Sequence, residues 1–217
     1  MGHFAIGLLA FMLSTSASAG DIYDRLTQAQ QAAVQKGQQV VMVEDVPGVA
    51  WPKVTIVQRV ASTPEEAAAV FADYELQPDY LDSMADVRIQ KWTDRVTAVV
   101  DYTMSLFILT VRYTLQNRLS TYEKGKSYRV DWKMVRGESV KDIQGNVRFE
   151  TLGTGAIMSY YNFINPNTNG FREKAISMTR DGAASIVRQI EFERVQDQDL
   201  LQRQIQRLRS ALAASLW

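Results

Sequence analysis

The side chains that most often do chemistry are nearly missing from this sequence. It has one histidine, His3, and no cysteine. His3 falls in residues 1–19, which read as a secretory signal: an apolar run from Phe4 to Leu13, then Ala17-Ser18-Ala19 as a cleavage site before Gly20. Removing that segment leaves neither imidazole nor thiol. A Ser-His-Asp or Cys-His nucleophile, histidine acid–base catalysis and the usual zinc sites are then excluded. Carboxylates, Lys, Arg and the hydroxyls of Tyr, Ser and Thr remain, without calcium-loop spacing or a phosphate-binding glycine loop; Gly153-Thr154-Gly155 is a turn between strands. The sequence calls for no cofactor and no metal. What it does offer is large apolar and aromatic side chains at alternate positions, such as Val100-x-Tyr102-x-Met104 and Trp132-x-Met134. A face of that kind suits burial of an apolar molecule, and a tyrosine on it adds a hydroxyl that can orient a polar end.

The elements that would position these side chains follow from periodicity. Val54 to Val60 alternates as a strand. A helix starts behind it, with Thr63 as N-cap, Pro64 at the first helical position and Glu65 and Glu66 against the positive helix end. Pro78 disfavours helical geometry at Gln77 and sets off a second short turn carrying Tyr80 and Leu81. From about Val87 to Ile164 the period is near two, with turns at Glu123-Lys124-Gly125-Lys126, Arg136-Gly137-Glu138 and Gly153-Thr154-Gly155. One apolar and one polar face per strand predicts an antiparallel meander, wet on one side and covered on the other. Asp101, Asp131, Arg112 and Arg148 fall on the polar face. In the last strand two inward sets fit, Met158/Tyr160/Asn162 and Ile157/Tyr161/Phe163. A short helix through Phe171, Ala175 and Met178 is expected to break near Asp181-Gly182. A longer helix with Ala183, Ile186, Val187 and Ile190 on its apolar stripe follows. Leu201, Ile205, Leu208 and Leu212 mark a final amphipathic segment, either a continuation or a separate helix.

Four divisions result: residues 1–19 as signal peptide, 20–52 as a helical and extended N-terminal extension, 53–195 as the main domain and 196–217 as an amphipathic C-terminal extension. The 24 basic and 24 acidic residues cancel, so there is no electrostatic case for nucleic acid. The signal lacks Lys or Arg ahead of its apolar run. The alternative, a retained anchor, meets a run well short of the ~20 residues a spanning helix needs. With no cysteine at the cleavage site the chain is not a lipoprotein. With none elsewhere a secreted, periplasmic fold stands on its core alone.

The order of strand, two short helices, meander and final helix resembles the helix-grip fold of the START/Bet v 1-like (SRPBCC) superfamily, the polyketide cyclase/dehydrase and lipid-transport type. Ala61-Ser62-Thr63-Pro64-Glu65-Glu66 with Val70-Phe71-Ala72-Asp73-Tyr74 is similar to the opening of that family. Leu76-Gln77-Pro78-Asp79-Tyr80-Leu81 is similar to its second short helix, and Gly153-Thr154 and Asn165-Pro166 bracket its last strand. The resemblance covers roughly residues 53–195. It implies an α+β fold, a curved antiparallel sheet of about seven strands around a C-terminal helix, with a cavity of ~300–1,000 Å³ between them. Ligand-binding positions would be Val100, Tyr102, Met104, Tyr113, Leu115, Trp132, Met134, Phe149, Met158, Tyr160, Ile186 and Ile190. Tyr74, Pro78, Tyr80 and Leu81 would form the cavity mouth, with Tyr80 or Leu81 offering transient membrane contact. The implied function is binding or carriage of a lipid, sterol, quinone or polyketide-like molecule. A cyclase/dehydratase in the same cavity and an interaction module with a vestigial cavity are the alternatives.

Overall fold

A computed structural model describes residues 21–106, 109–138, 140–166 and 172–213; the signal-peptide segment lies outside them. One antiparallel sheet of eight strands dominates. Its strands are β1 (Val40–Glu44), β2 (Lys53–Val60), β3 (Met84–Trp92), β4 (Thr97–Leu106), β5 (Leu109–Glu123), β6 (Ser127–Gly137), β7 (Val140–Leu152) and β8 (Gly155–Pro166). Their order across the sheet is β1-β2-β8-β7-β6-β5-β4-β3. Strands β3 to β8 are the expected meander, and β2 closes against β8. The eighth strand is β1, from the N-terminal extension, which pairs with β2 along Val40↔Val57 to Glu44↔Lys53.

Between β2 and β3 lie α3 (Pro64–Phe71) and a 3-10 helix (Tyr74–Asp79). The α3 start is a full capping box: the Glu66 amide donates to Thr63 Oγ1 at 3.2 Å and the Thr63 amide to Glu66 Oε2 at 2.7 Å. Two long helices finish the chain, α4 (Arg172–Gln196) and α5 (Gln198–Ala213). The expected break at Asp181-Gly182 does not occur; α4 runs through both residues. A helical glycine costs only about 1 kcal/mol, and the apolar stripe Ala175, Ala183, Ile186, Ile190 outweighs it by burial against the sheet. The α5 segment is a separate helix, begun where the Leu200 amide donates to Asp197 Oδ1 at 3.1 Å.

The main core fills the concave side of the sheet, under α3, α4 and α5. The convex side is wet only in part. Helices α1 (Asp21–Asp24) and α2 (Gln28–Gln35) lie over β2 and β8, and Ile22, Leu26 and Val34 bury Val57 and Ile157 beneath them. This cover resolves the last strand. Ile157 faces outward into the small second core, and Met158, Tyr160 and Asn162 face inward. It also buries Glu150 to 1% exposure on the convex face, where Arg148 pairs with it and the Ile22 amide donates to its Oε2 at 3.0 Å. Among the described residues no helix is long and apolar enough to cross a membrane.

Candidate functional site

A cavity lies between the concave face and the first half of α4. Strand alternation supplies most of its wall: Tyr102 and Met104 from β4, Tyr113, Leu115 and Asn117 from β5, Trp132 from β6, Ile143 from β7, and Tyr160, Asn162 and Ile164 from β8. The helix adds Ala175, Met178, Thr179 and Gly182, spaced three, one and three apart so that they share one face. Trp51, Pro52 and Val54, then Phe71, Gln77, Leu81, Ser83 and Met84 complete it.

Two glycines shape this space. A Cβ on Gly145 would collide with the Tyr161 carbonyl oxygen and the Trp132 indole, so the missing side chain is what lets Trp132 lie against β7. There it packs 5.6 Å from the Tyr160 ring and 6.1 Å from Phe71. A Cβ on Gly182 would meet no atom within 4 Å, because the helix there borders open space.

The polar groups of the wall are neutral. Among the described residues that line it, none is Asp, Glu, Lys or Arg. Tyr102 and Tyr113 stack at 5.5 Å, and Tyr102 Oη accepts a hydrogen bond from Asn117 Nδ2 at 3.2 Å. Among the described residues the Tyr113 hydroxyl reaches only sulfur, Met84 Sδ at 3.9 Å and Met104 Sδ at 4.0 Å, and thioethers are weak acceptors. Among the described residues Tyr160 Oη has no hydrogen-bond partner. Burial pushes the Tyr160 phenol up to about 12 and raises Tyr102 and Tyr113 as well. At neutral pH these are protonated donors, not bases.

The cavity is smaller than expected. Its volume is about 90 Å³, and its mouth opens to solvent. Typical ligand sites span ~300–1,000 Å³. Three methionines, Met84, Met104 and Met178, line it. Their unbranched side chains adapt their shape more readily than branched ones.

Of the side chains expected in the wall, Tyr102, Met104, Tyr113, Leu115, Trp132 and Tyr160 line it, as does Leu81 from the expected mouth. Val100, Phe149, Met158, Ile186 and Ile190 are packed in the core away from it, and Met134 is half-buried beside that core. Tyr74 and Tyr80 do not line the cavity. Tyr74 is 1% exposed, its ring 6.4 Å from Trp92, and Tyr80 is 9% exposed, so neither it nor the equally buried Leu81 presents a surface to a bilayer. Pro78 sits half-buried inside the 3-10 helix. Asp73, between the two helices, holds α5: Arg207 Nη2 lies at 2.6 Å and Gln204 Nε2 donates at 3.1 Å. Behind this pair Glu193 is buried, its Oε2 and Gln204 Oε1 without hydrogen-bond partners among the described residues, and burial raises its pKa. The charges Asp101, Asp131, Arg112 and Arg148 all pair outside the cavity, with Arg136, Arg129, Glu138 and Glu150 respectively.

Sequence reasoning passed over Asn117, Asn162, Gly145 and Gly182. Signals existed for the first three: Asn117 and Gly145 break the apolar run on inward strand positions, and Asn162 belongs to one of the two inward sets.

No protein-family model and no curated protein sequence matches this chain. Solved structures do. A STAR-related lipid transfer protein from Xanthomonas axonopodis aligns over 70% of this chain and 93% of its own, with TM-score 0.62 and 11% identity. The human StarD13 lipid transfer and protein localization domain aligns over 75% and 96%, with TM-score 0.55 and 12% identity. The Zhui aromatase/cyclase from Streptomyces sp. R1128 aligns over 65% and 94%, with TM-score 0.53 and 15% identity. Identities this low show the fold alone, and the fold is that of these neighbours: a curved antiparallel sheet with a C-terminal helix pair, the START-like helix grip.

Proposed function

We propose that this protein binds a hydrophobic small molecule in the cavity between sheet and α4, and carries it outside the cytoplasm after its signal peptide is removed. The observation that carries the reading is the composition of the wall: apolar and aromatic surface with neutral polar groups and no carboxylate, ammonium or guanidinium. Such a site favours a ligand by burial, worth about 25 cal/mol per Å² of apolar area, and supplies no acid–base pair for turnover. The fold is consistent, since its structural neighbours include proteins named for lipid transfer.

The cyclase/dehydratase reading has one support, a neighbour named as an aromatase/cyclase. It would rest on tyrosines as proton donors, with no partner base in the wall. The cavity of about 90 Å³ gives the vestigial-cavity reading its own support. Carriage therefore requires the walls to part, with Met84, Met104 and Met178 as the side chains best able to move.

Titration of the mature protein with a panel of lipids, sterols, quinones and aromatic polyketides tests the reading. Quenching of tryptophan fluorescence reports on it, since Trp51 and Trp132 stand in the wall. Saturable binding by at least one class is expected, and failure of the whole panel would sink the proposal. N-terminal sequencing of the exported chain is expected to begin at Gly20; a chain retaining Met1 would refute the processing step.

A further inference from the structure

We infer that the ligand is uncharged and carries a carbonyl-type acceptor oxygen on a compact ring system; the inference rests on the binding role proposed above. Two observations point this way. The first is the lack of any charged side chain among the described residues of the wall. A carboxylate or phosphate brought there would be buried without a cation, and desolvation of an unpaired ion costs several kcal/mol. An amine would be buried without an anion. Two carboxylates close in sequence to wall residues are committed elsewhere: Asp101 to Arg136 and Thr114, and Asp73 to Arg207 and Gln204.

The second observation is the state of the tyrosine hydroxyls. The Tyr102 hydroxyl accepts from Asn117 and keeps its own proton to give; the Tyr113 hydroxyl rests on two thioethers; the Tyr160 hydroxyl has no partner among the described residues. All three side chains line the same cavity. By contrast Thr179 donates to Ala175 O at 2.9 Å and Gln77 to Phe71 O at 3.2 Å, so those groups are occupied. A buried hydroxyl without a good acceptor gains from a ligand that brings one. The flat surfaces nearby, Trp132 and the stacked Tyr102–Tyr113 pair, suit a ring rather than a flexible chain.

A matched series of three naphthalenes tests this on the mature protein. 2-Acetylnaphthalene carries the carbonyl, 2-ethylnaphthalene replaces it with hydrocarbon, and 2-naphthoate carries a charge at pH 7. The ketone is expected to bind about two- to tenfold tighter than the hydrocarbon, the range one net hydrogen bond supplies. It should bind more than about a hundredfold tighter than the carboxylate. Tyr113→Phe combined with Tyr160→Phe should lower the ratio of ketone to hydrocarbon affinity, leaving the Tyr102 hydroxyl as the remaining tyrosine donor, with the melting temperature as the folding control. Should the double variant fail to fold, the ranking on the wild-type chain decides alone. Equal binding of ketone and hydrocarbon overturns the carbonyl assignment. Binding of 2-naphthoate at or above the ketone overturns the neutral-ligand assignment and leaves the carrier reading standing. If none of the three binds and the wider panel also fails, the carrier reading itself falls.

Discussion

Gly182 separates packing from binding in a single position. It lies in the interior of α4, borders the cavity, and an added Cβ would meet nothing within 4 Å. Gly182→Ala should therefore bring the helix-propensity gain without a clash. That gain is about 1 kcal/mol, which for a domain of this size raises the melting temperature by about 2–4 °C. Gly182→Leu keeps most of that gain and adds four carbons beside a cavity of about 90 Å³. The leucine takes the space a ligand would need, so affinity should fall at least about tenfold, or 1.4 kcal/mol. Thermal unfolding by circular dichroism and titration with 2-acetylnaphthalene read the two effects separately. The reasoning is refuted if Gly182→Ala lowers the melting temperature, which would mean the glycine is needed for backbone shape. It is equally refuted if Gly182→Leu folds and binds like wild type, since the ligand would then sit elsewhere.

Other positions give equally definite outcomes. Gly145→Ala forces a methyl into the Tyr161 carbonyl and the Trp132 indole; overpacking of this kind costs about 1–3 kcal/mol, and urea unfolding should show it as a lower midpoint with tryptophan emission altered in the native state. An unchanged midpoint would mean that Trp132 is free to shift. Glu193 has a raised folded-state pKa through burial, so its neutral form is the favoured one in the fold. Its contribution to stability is full below the ordinary value near 4.5 and is lost as pH rises through the folded value. Glu193→Gln should then stabilise at pH 7, by about 1 kcal/mol, and the advantage over wild type should vanish below pH 4.5; a constant difference across pH contradicts the assignment. Asp73→Ala removes the Arg207 and Gln204 contacts that hold α5. Because Arg207 is largely exposed, the expected loss is modest, about 0.5–1 kcal/mol. Amide hydrogen exchange should quicken in α5 and not in β5 or β6; uniform quickening would argue against a local tie.

Much of this fold was legible in the sequence because local chemistry and burial agree there. Thr63, Pro64 and Glu66 form the capping box that their spacing predicts, and the alternation through Val100-Tyr102-Met104 or Tyr128-Val130-Trp132 is the alternation of the sheet. The misreadings arise where distant segments decide. Nothing local to Tyr74 and Tyr80 says that α5 will dock on Asp73 and leave the tyrosines inside. Nothing local to Glu150 says that Ile22 will cover it. The stripe places Ile186 and Ile190 inward, but inward positions deep in α4 are filled with core, and the cavity borders the earlier turns of the helix. Gly182 reads as a break in isolation; its meaning comes from the cavity it borders.

The central claim is occupancy of that cavity by a hydrophobic molecule. Native mass spectrometry of the protein isolated from the envelope of cells that make it, beside Gly182→Leu prepared the same way, tests it most directly. Wild type should carry one small neutral molecule, extractable into organic solvent, and the variant should carry none. A wild-type protein with no adduct that also rejects every ligand class offered, or an adduct retained undiminished by the leucine variant, would contradict the account.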